Sequence, residues 1–140
     1  MIENFKIISS FIKDLSSETA DAQTFIFVRD KISKYQLNID INSKAVNNGI
    51  IEVNTILKFY DLTEMLKKSH FEITYTSIVK IDEKVSDKKE MEKIILCDVP
   101  NKIYPDLERI FLNLLSDSGY PGIKFEKKID FIELYKQRSN

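Results

Sequence analysis

With 140 residues, 43% of them hydrophobic and 31% charged, the chain has the length of one domain and enough apolar side chains to bury a core. Its 21 Lys and Arg against 22 Asp and Glu leave a net charge of -1, which gives no electrostatic footprint for nucleic acid or an anionic membrane. No apolar run approaches the ~20 residues of a membrane span, MIENFKIISSFIK lacks the continuous apolar core of a secretory signal, and one cysteine cannot form an internal disulfide. The expectation is a single domain over residues 1–140, cytoplasmic and not inserted in a membrane.

In chain order, the first predicted element is a strand between Asn4 and Leu15. Phe5, Ile7, Phe11 and Leu15 fall on alternate positions while Ile8 and Ile12 take the other parity, the pattern of a strand partly covered on both faces. Thr19 to Lys34 reads as a polar connector, except that Thr24-Phe-Ile-Phe-Val28 places two aromatic rings inside it. Those rings either tuck into the core, form another strand, or make an apolar crossing loop beside a surface groove for extended peptides. Tyr35, Leu37, Ile39 and Ile41 alternate with Gln36, Asn38, Asp40 and Asn42, which predicts a strand with one face on a core and the other in water. Asn48-Gly49 is a hairpin signal because both residues tolerate positive φ. Ile51, Val53, Thr55, Leu57 and Phe59 then share one face of a third strand. After a polar connector, Asp61 to Ser69, the residues Phe71, Ile73, Tyr75, Val79 and Ile81 predict a fourth, and the series reads as an antiparallel meander.

After Ser86 the period lengthens. Met91, Ile94 and Ile95, followed by Leu96 and a break at Pro100, fit a short helix entered through Ser86-Asp87. Ile103, Leu107, Ile110, Phe111, Leu114 and Leu115 lie on one stripe of a longer helix, with Pro105 in its first turn and Gly119 at its exit. Beyond the Gly-Tyr-Pro-Gly turn, Ile123 and Phe125 form a brief extended piece, and Asp130 caps a terminal helix carrying Phe131, Leu134 and Tyr135. Strands followed by helices make an α+β domain, a four-stranded antiparallel sheet with two to three helices packed on one side.

Residues that carry chemistry are scarce. His70 is the single histidine, so any Cys-His or Ser-His dyad depends on it, and nothing in the spacing brings it to Cys97 or a serine. Cys97 reads instead as a small packed hydrophobe. A zinc site takes about four Cys, His or carboxylate ligands, and one Cys with one His cannot supply the usual set. With three glycines and neither G-x-x-x-x-G-K nor G-x-G-x-x-G, no loop cradles phosphates. Asp106 and Glu108 point apart on a helix and serve its dipole. The expectation is a protein that is not an enzyme, with no catalytic residues, metal or cofactor.

The stretches Val99–Pro105, Gly119–Pro121, Ile129–Tyr135 and Phe11–Glu18 together resemble segments of the SecB family of protein-export chaperones. Val99-Pro-Asn-Lys-Ile-Tyr-Pro105 is similar to the C-P-x-x-L-F-P-Y-x-R signature that opens that family's long helix, with Arg109 near the signature arginine. Gly119-Tyr-Pro121 and Ile129-Asp-Phe-Ile-Glu-Leu-Tyr135 resemble its G-x-F-P and V-N-F-D-A-L-F segments. Phe11-Ile-Lys-Asp-Leu-Ser-Ser-Glu18, with Ala20 and Ala22, resembles its Y-x-K-D-x-S-F-E-x-P-x-A. The matches run in order over nearly the whole chain. Thr76-Ser-Ile-Val79 departs from the family's G-G-I-F, and Val99 stands in place of the signature cysteine.

The resemblance implies a SecB-like fold and a homotetramer, a dimer of dimers, that holds unfolded clients in hydrophobic grooves without ATP. It implies as client either preproteins kept export-competent for the SecA motor, or an antitoxin sheltered from aggregation and proteolysis in a toxin-antitoxin-chaperone system. By position in the family, the client-binding groove falls on Phe25, Phe27, Val28, Ile110 and Leu114, between the crossing loop and the long helix. SecA docking falls on carboxylates of the exposed sheet face, here Asp14, Glu18 and Glu72.

Overall fold

A computed structural model describes residues 4–61, 68–125 and 129–139. Four strands, β1 (Phe5–Glu18), β2 (Gln36–Asn47), β3 (Ile50–Tyr60) and β4 (His70–Ile81), pair antiparallel in the order β1-β4-β3-β2. The meander is therefore limited to β2, β3 and β4. β1 joins the sheet on the other side of β4, pairing along its whole length, from Phe5 opposite Ile81 to Glu18 opposite His70. Of the polar connector before β4, residues 62–67 lie outside the described residues.

β1 explains its own mixed parity. Register shifts between Ile7 and Ser9 and between Ile12 and Asp14 each insert one extra residue, and each bulge moves the following side chains to the other face. Phe5, Ile7, Ser10, Ile12, Leu15 and Ser17 thus lie opposite Ile81, Val79, Ser77, Tyr75, Ile73 and Phe71, on the face that packs against helices. At the β2–β3 turn only Gly49 takes a positive φ, 74°, and a shift between Ala45 and Asn47 accommodates the remaining twist.

The connector from β1 to β2 is not a loop. It contains α1 (Ala22–Arg29), started by the Asp21 carboxylate, which accepts a hydrogen bond from the Thr24 N–H at 2.8 Å, and a 3-10 turn, Ile32–Lys34. The β-branched and aromatic residues of Thr24-Phe-Ile-Phe-Val28 are mediocre helix formers, which hid the helix; the Asp21 cap and burial of Thr24 and Val28 outweigh that preference.

On the other side of the sequence, α2 (Lys88–Lys93) is capped by Asp87, whose carboxylate accepts from the Lys89 N–H at 3.1 Å. It runs through one π-helical turn, Ile94–Asp98, directly into α3 (Val99–Asp117). The expected break at Pro100 is absent, and Pro105 lies inside α3 rather than in its first turn. The wider π turn gives the Pro100 ring room against the preceding residues, and Pro105 and Asn101, whose carbonyl would otherwise be the acceptor for position 105, are both exposed. α4 (Phe131–Ser139) is capped by Asp130, which accepts from the Glu133 N–H at 3.1 Å, and the Tyr135 hydroxyl donates to the Lys89 carbonyl at 3.3 Å, tying α4 to α2. Ile123 and Phe125, expected as a short extended piece, belong to no strand ladder.

The helices cover one face of the sheet. Leu57, Phe59, Phe71 and Ile73 meet Leu107, Phe111 and Leu115 of α3, with Tyr120 and Phe131 closing the ends, while Val53, Val79 and Ile81 meet Ile94 and Val99. Each fully buried side chain of this size contributes roughly 1.5–3 kcal/mol of transfer free energy, so α3 is held chiefly by its stripe. Among the described residues no helix is long and apolar enough to cross a membrane.

Candidate functional site

The start of β2 and the chain after α3 enclose a groove of about 1160 Å³. Leu37, Ile39 and Phe59 line it from the sheet together with Tyr35 just before β2, and Ile123, Phe125, Ile129 and Leu134 from the opposite side. Lys124, Asp130 and Glu133 supply its charged groups. β2 is an edge strand, so no further strand covers this flank, and the apolar side chains of its first half are left beside the groove.

An unbroken series of rings connects the groove to the interior. Tyr35 meets Phe59 at 5.5 Å between centroids, Phe59 meets Phe125 at 5.7 Å edge-on, and Phe125 lies nearly parallel to Phe111 at 6.2 Å. From Phe59 the series also runs through Phe71 at 6.3 Å and Tyr120 at 5.6 Å to Phe25 of α1 at 5.2 Å. Offset and edge-on contacts of this kind add about 0.5–1.5 kcal/mol each beyond burial.

Polar bonds fix the Tyr35 wall. Its hydroxyl accepts from the Ser69 N–H at 3.0 Å, and burial pushes the phenol above its ordinary range. The Ser69 hydroxyl meets those of Tyr120 at 3.2 Å and Thr19 at 2.6 Å. Four segments distant in sequence are thereby joined beside the groove.

The residues expected to line a groove sit on α1 and α3. Phe25 is half-buried against Tyr120 and Gly119, and Phe27 is half-buried under the Lys31 ammonium, 5.2 Å from its centroid. Val28, also expected at a groove, is 1% exposed and belongs to the core, turned inward by α1. Ile110 and Leu114 are half-buried on the flank of α3. None of the five lines the groove described above. Tyr35, Leu37, Ile39, Phe59 and Phe125 were visible in the sequence only as strand alternation and an isolated ring, since nothing local says which strand is an edge.

The opposite face of the sheet is open. Asp14 lies opposite Thr74, Glu18 opposite His70, and Glu72 opposite Ser16, so the register brings all three carboxylates to one end of this face. Glu72 pairs with Lys58 at 3.4 Å. Farther along, the Thr76 hydroxyl donates to Asn54 Oδ1 at 2.6 Å, and Asn54 Nδ2 donates to Asn42 at 2.8 Å and to Glu52 at 2.9 Å. Lys13, the extra residue of the second bulge, reaches Glu52 at 3.1 Å.

Cys97 and His70 do not form a dyad. Cys97 is buried in the π turn, where desolvation pushes its thiol up, while His70 is exposed at the start of β4 opposite Glu18. Among the described residues no group of His, Cys, Asp and Glu is arranged to hold a metal ion.

Comparison with known proteins points in one direction. The family described as preprotein translocase subunit SecB matches residues 2–140. A Pelagibacter ubique protein named for SecB-type protein export is 85% identical over 140 residues, covering 100% of both chains. The protein-export protein SecB of Dinoroseobacter shibae is 28% identical over 141 residues, covering 98% of this chain and 79% of that protein. In three dimensions, the SecB-like chaperone of Mycobacterium tuberculosis, solved with a ChAD peptide from the HigA1 antitoxin, superposes with a TM-score of 0.64 at 12% identity over 89% of this chain and 91% of that one. The whole-length match and the 85% identity place this chain in the SecB family of protein-export chaperones, whose members are not enzymes.

Proposed function

We propose that the protein is an ATP-independent holdase that keeps unfolded preproteins export-competent in the apolar groove beside β2. The groove carries this reading: an open, ring-lined channel with few charges suits burial of client aromatic and aliphatic side chains, each worth roughly 1.5–3 kcal/mol when fully buried. Several such contacts along one chain give avidity without sequence specificity. Tyr35, Leu37, Ile39 and Phe59 are the proposed client contacts, with Phe27, Ile110 and Leu114 as supplementary apolar surface on α1 and α3. The M. tuberculosis relative in fold, solved with a peptide, supports polypeptide binding as the use of this fold.

Asp14, Glu18 and Glu72 are the proposed docking groups for SecA, grouped at one end of the open sheet face. Assembly into a cytoplasmic homotetramer, a dimer of dimers, is supported by β1, an edge strand with Ile8, Phe11, Ile12 and Leu15 exposed. Export is favoured over protection of an antitoxin by the names of the sequence relatives, the 85% identical one included.

Light scattering of the purified protein, alone and with reduced carboxymethylated α-lactalbumin as a permanently unfolded client, tests the reading. A tetramer that takes up the client without nucleotide is the expected result; a protein that leaves the client unbound would sink it.

A further inference from the structure

The aromatic floor of the groove already has an occupant, and it belongs to the chain itself. Phe111 is 0% exposed although it lies only one ring from the groove. Phe125 covers it, nearly parallel at 6.2 Å, and at the same time stands edge-on to Phe59 at 5.7 Å. Phe125 is half-buried, lines the groove, and sits in a stretch outside any helix or strand. Its ring is thus held by side-chain packing, whereas Phe59 and Phe111 are anchored by the ladders of β3 and α3. We propose that Phe125 is a built-in plug: its ring fills the seat on Phe59 and Phe111 that a Phe or Tyr side chain of an unfolded client takes on binding, and it withdraws as the client ring enters. The inference rests on the holding reading above and deepens it by naming the side-chain class and its seat.

The physical case is one of exchange. A client ring restores the contacts that Phe125 gives up, so swapping one ring for the other is nearly neutral within the seat. A smaller aliphatic group fills it incompletely, and the uncovered atoms of Phe59 and Phe111 lose dispersion partners. The plug therefore makes the seat selective for rings and keeps it closed to water when no client is bound. Truncating the plug leaves an apolar cavity of the kind that stays dry and accepts a benzene-sized guest.

The test uses two labelled synthetic peptides, identical except that a central Phe in one is Ala in the other, titrated against the full chain by fluorescence anisotropy. Phe125→Ala should bind the Phe peptide roughly tenfold more tightly than the wild type does, with the Ala peptide unchanged. Equal or weaker binding of the Phe peptide by the variant would overturn the plug and make Phe125 an ordinary wall residue. If far-UV circular dichroism finds Phe125→Ala unfolded, Phe125→Leu replaces it, with an expected gain of about threefold. A wild type that binds neither peptide nor carboxymethylated α-lactalbumin sinks the holding reading and the plug together. A wild type that binds α-lactalbumin while neither variant gains for the Phe peptide sinks the plug alone.

Discussion

Gly119 ends α3 at φ 104°, and the ring of Phe25 from α1 occupies the space where a side chain at position 119 would begin. A Cβ added there would stand 2.5 Å from Phe25 Cε1. The contact locks the connector between β1 and β2 onto the end of α3, and from there the packing continues through Tyr120 to Ser69 and Tyr35 on the groove wall.

Gly119→Ala should therefore lower stability by about 2 kcal/mol, through a strained left-handed backbone and a displaced Phe25 ring. Thermal denaturation of the single variants and of Gly119→Ala with Phe25→Ala gives the check. The clash disappears in the double variant, so its loss should fall short of the sum; strict additivity would mean that the ring does not obstruct position 119.

Thr55 lies in the middle of β3 on the helix-facing side, fully buried, and its hydroxyl has no hydrogen-bond partner among the described residues. Desolvating a hydroxyl without compensation costs about 1–3 kcal/mol, and valine has the same shape. Thr55→Val should raise stability by about 1 kcal/mol, read as a higher urea midpoint at unchanged slope. A lower midpoint would contradict the account.

On the open face, hydrogen bonds from Asn54 and then Lys13 hold the Glu52 carboxyl below its ordinary value of 4.5. A depressed folded-state pKa contributes stability that is present above about pH 4.5 and fades as the pH falls through the lower folded value. In a ¹³C titration of the side-chain carboxyl, Asn54→Ala should move the Glu52 midpoint upward. The stability gap between this variant and the wild type should also narrow on acidification. A midpoint that stays in place would exclude Asn54 as the cause.

Cys97 is 3% exposed and its thiol is pushed up, first by burial and then by the neighbouring Asp98 carboxylate. The native protein at pH 8 should react slowly with a thiol reagent and quickly once urea unfolds it. Cys97→Ala should cost about 1 kcal/mol of stability and leave α-lactalbumin binding unchanged. Loss of binding at full stability would return Cys97 to the list of functional residues.

Much of the fold is legible because strand and helix faces are written locally. The alternation from Tyr35 to Ile41, the Asn48-Gly49 turn, the runs in β3 and β4 and the stripe from Ile103 to Leu115 each depend on side chains a few positions apart, and each becomes the expected element. Asp87 and Asp130 begin helices for the same reason, since a cap acts on N–H groups within its own turn. α1 escaped because Phe25, Ile26, Phe27 and Val28 favour extended structure until packing decides otherwise. The break expected at Pro100 is absent because a π turn carries that proline without ending the helix.

By itself, then, the sequence determined the four strands, the helical second half, the end motifs that resemble SecB, and the lack of residues spaced for catalysis. Only the tertiary structure decided that β1 lies beside β4, that β2 is an edge, that Val28 points into the core, and that Phe125 covers Phe111 beside the groove. The division is physical. Periodicity specifies which way a side chain faces within its own element, whereas the neighbour that it meets, or the surface left uncovered, depends on pairings between segments far apart in the chain.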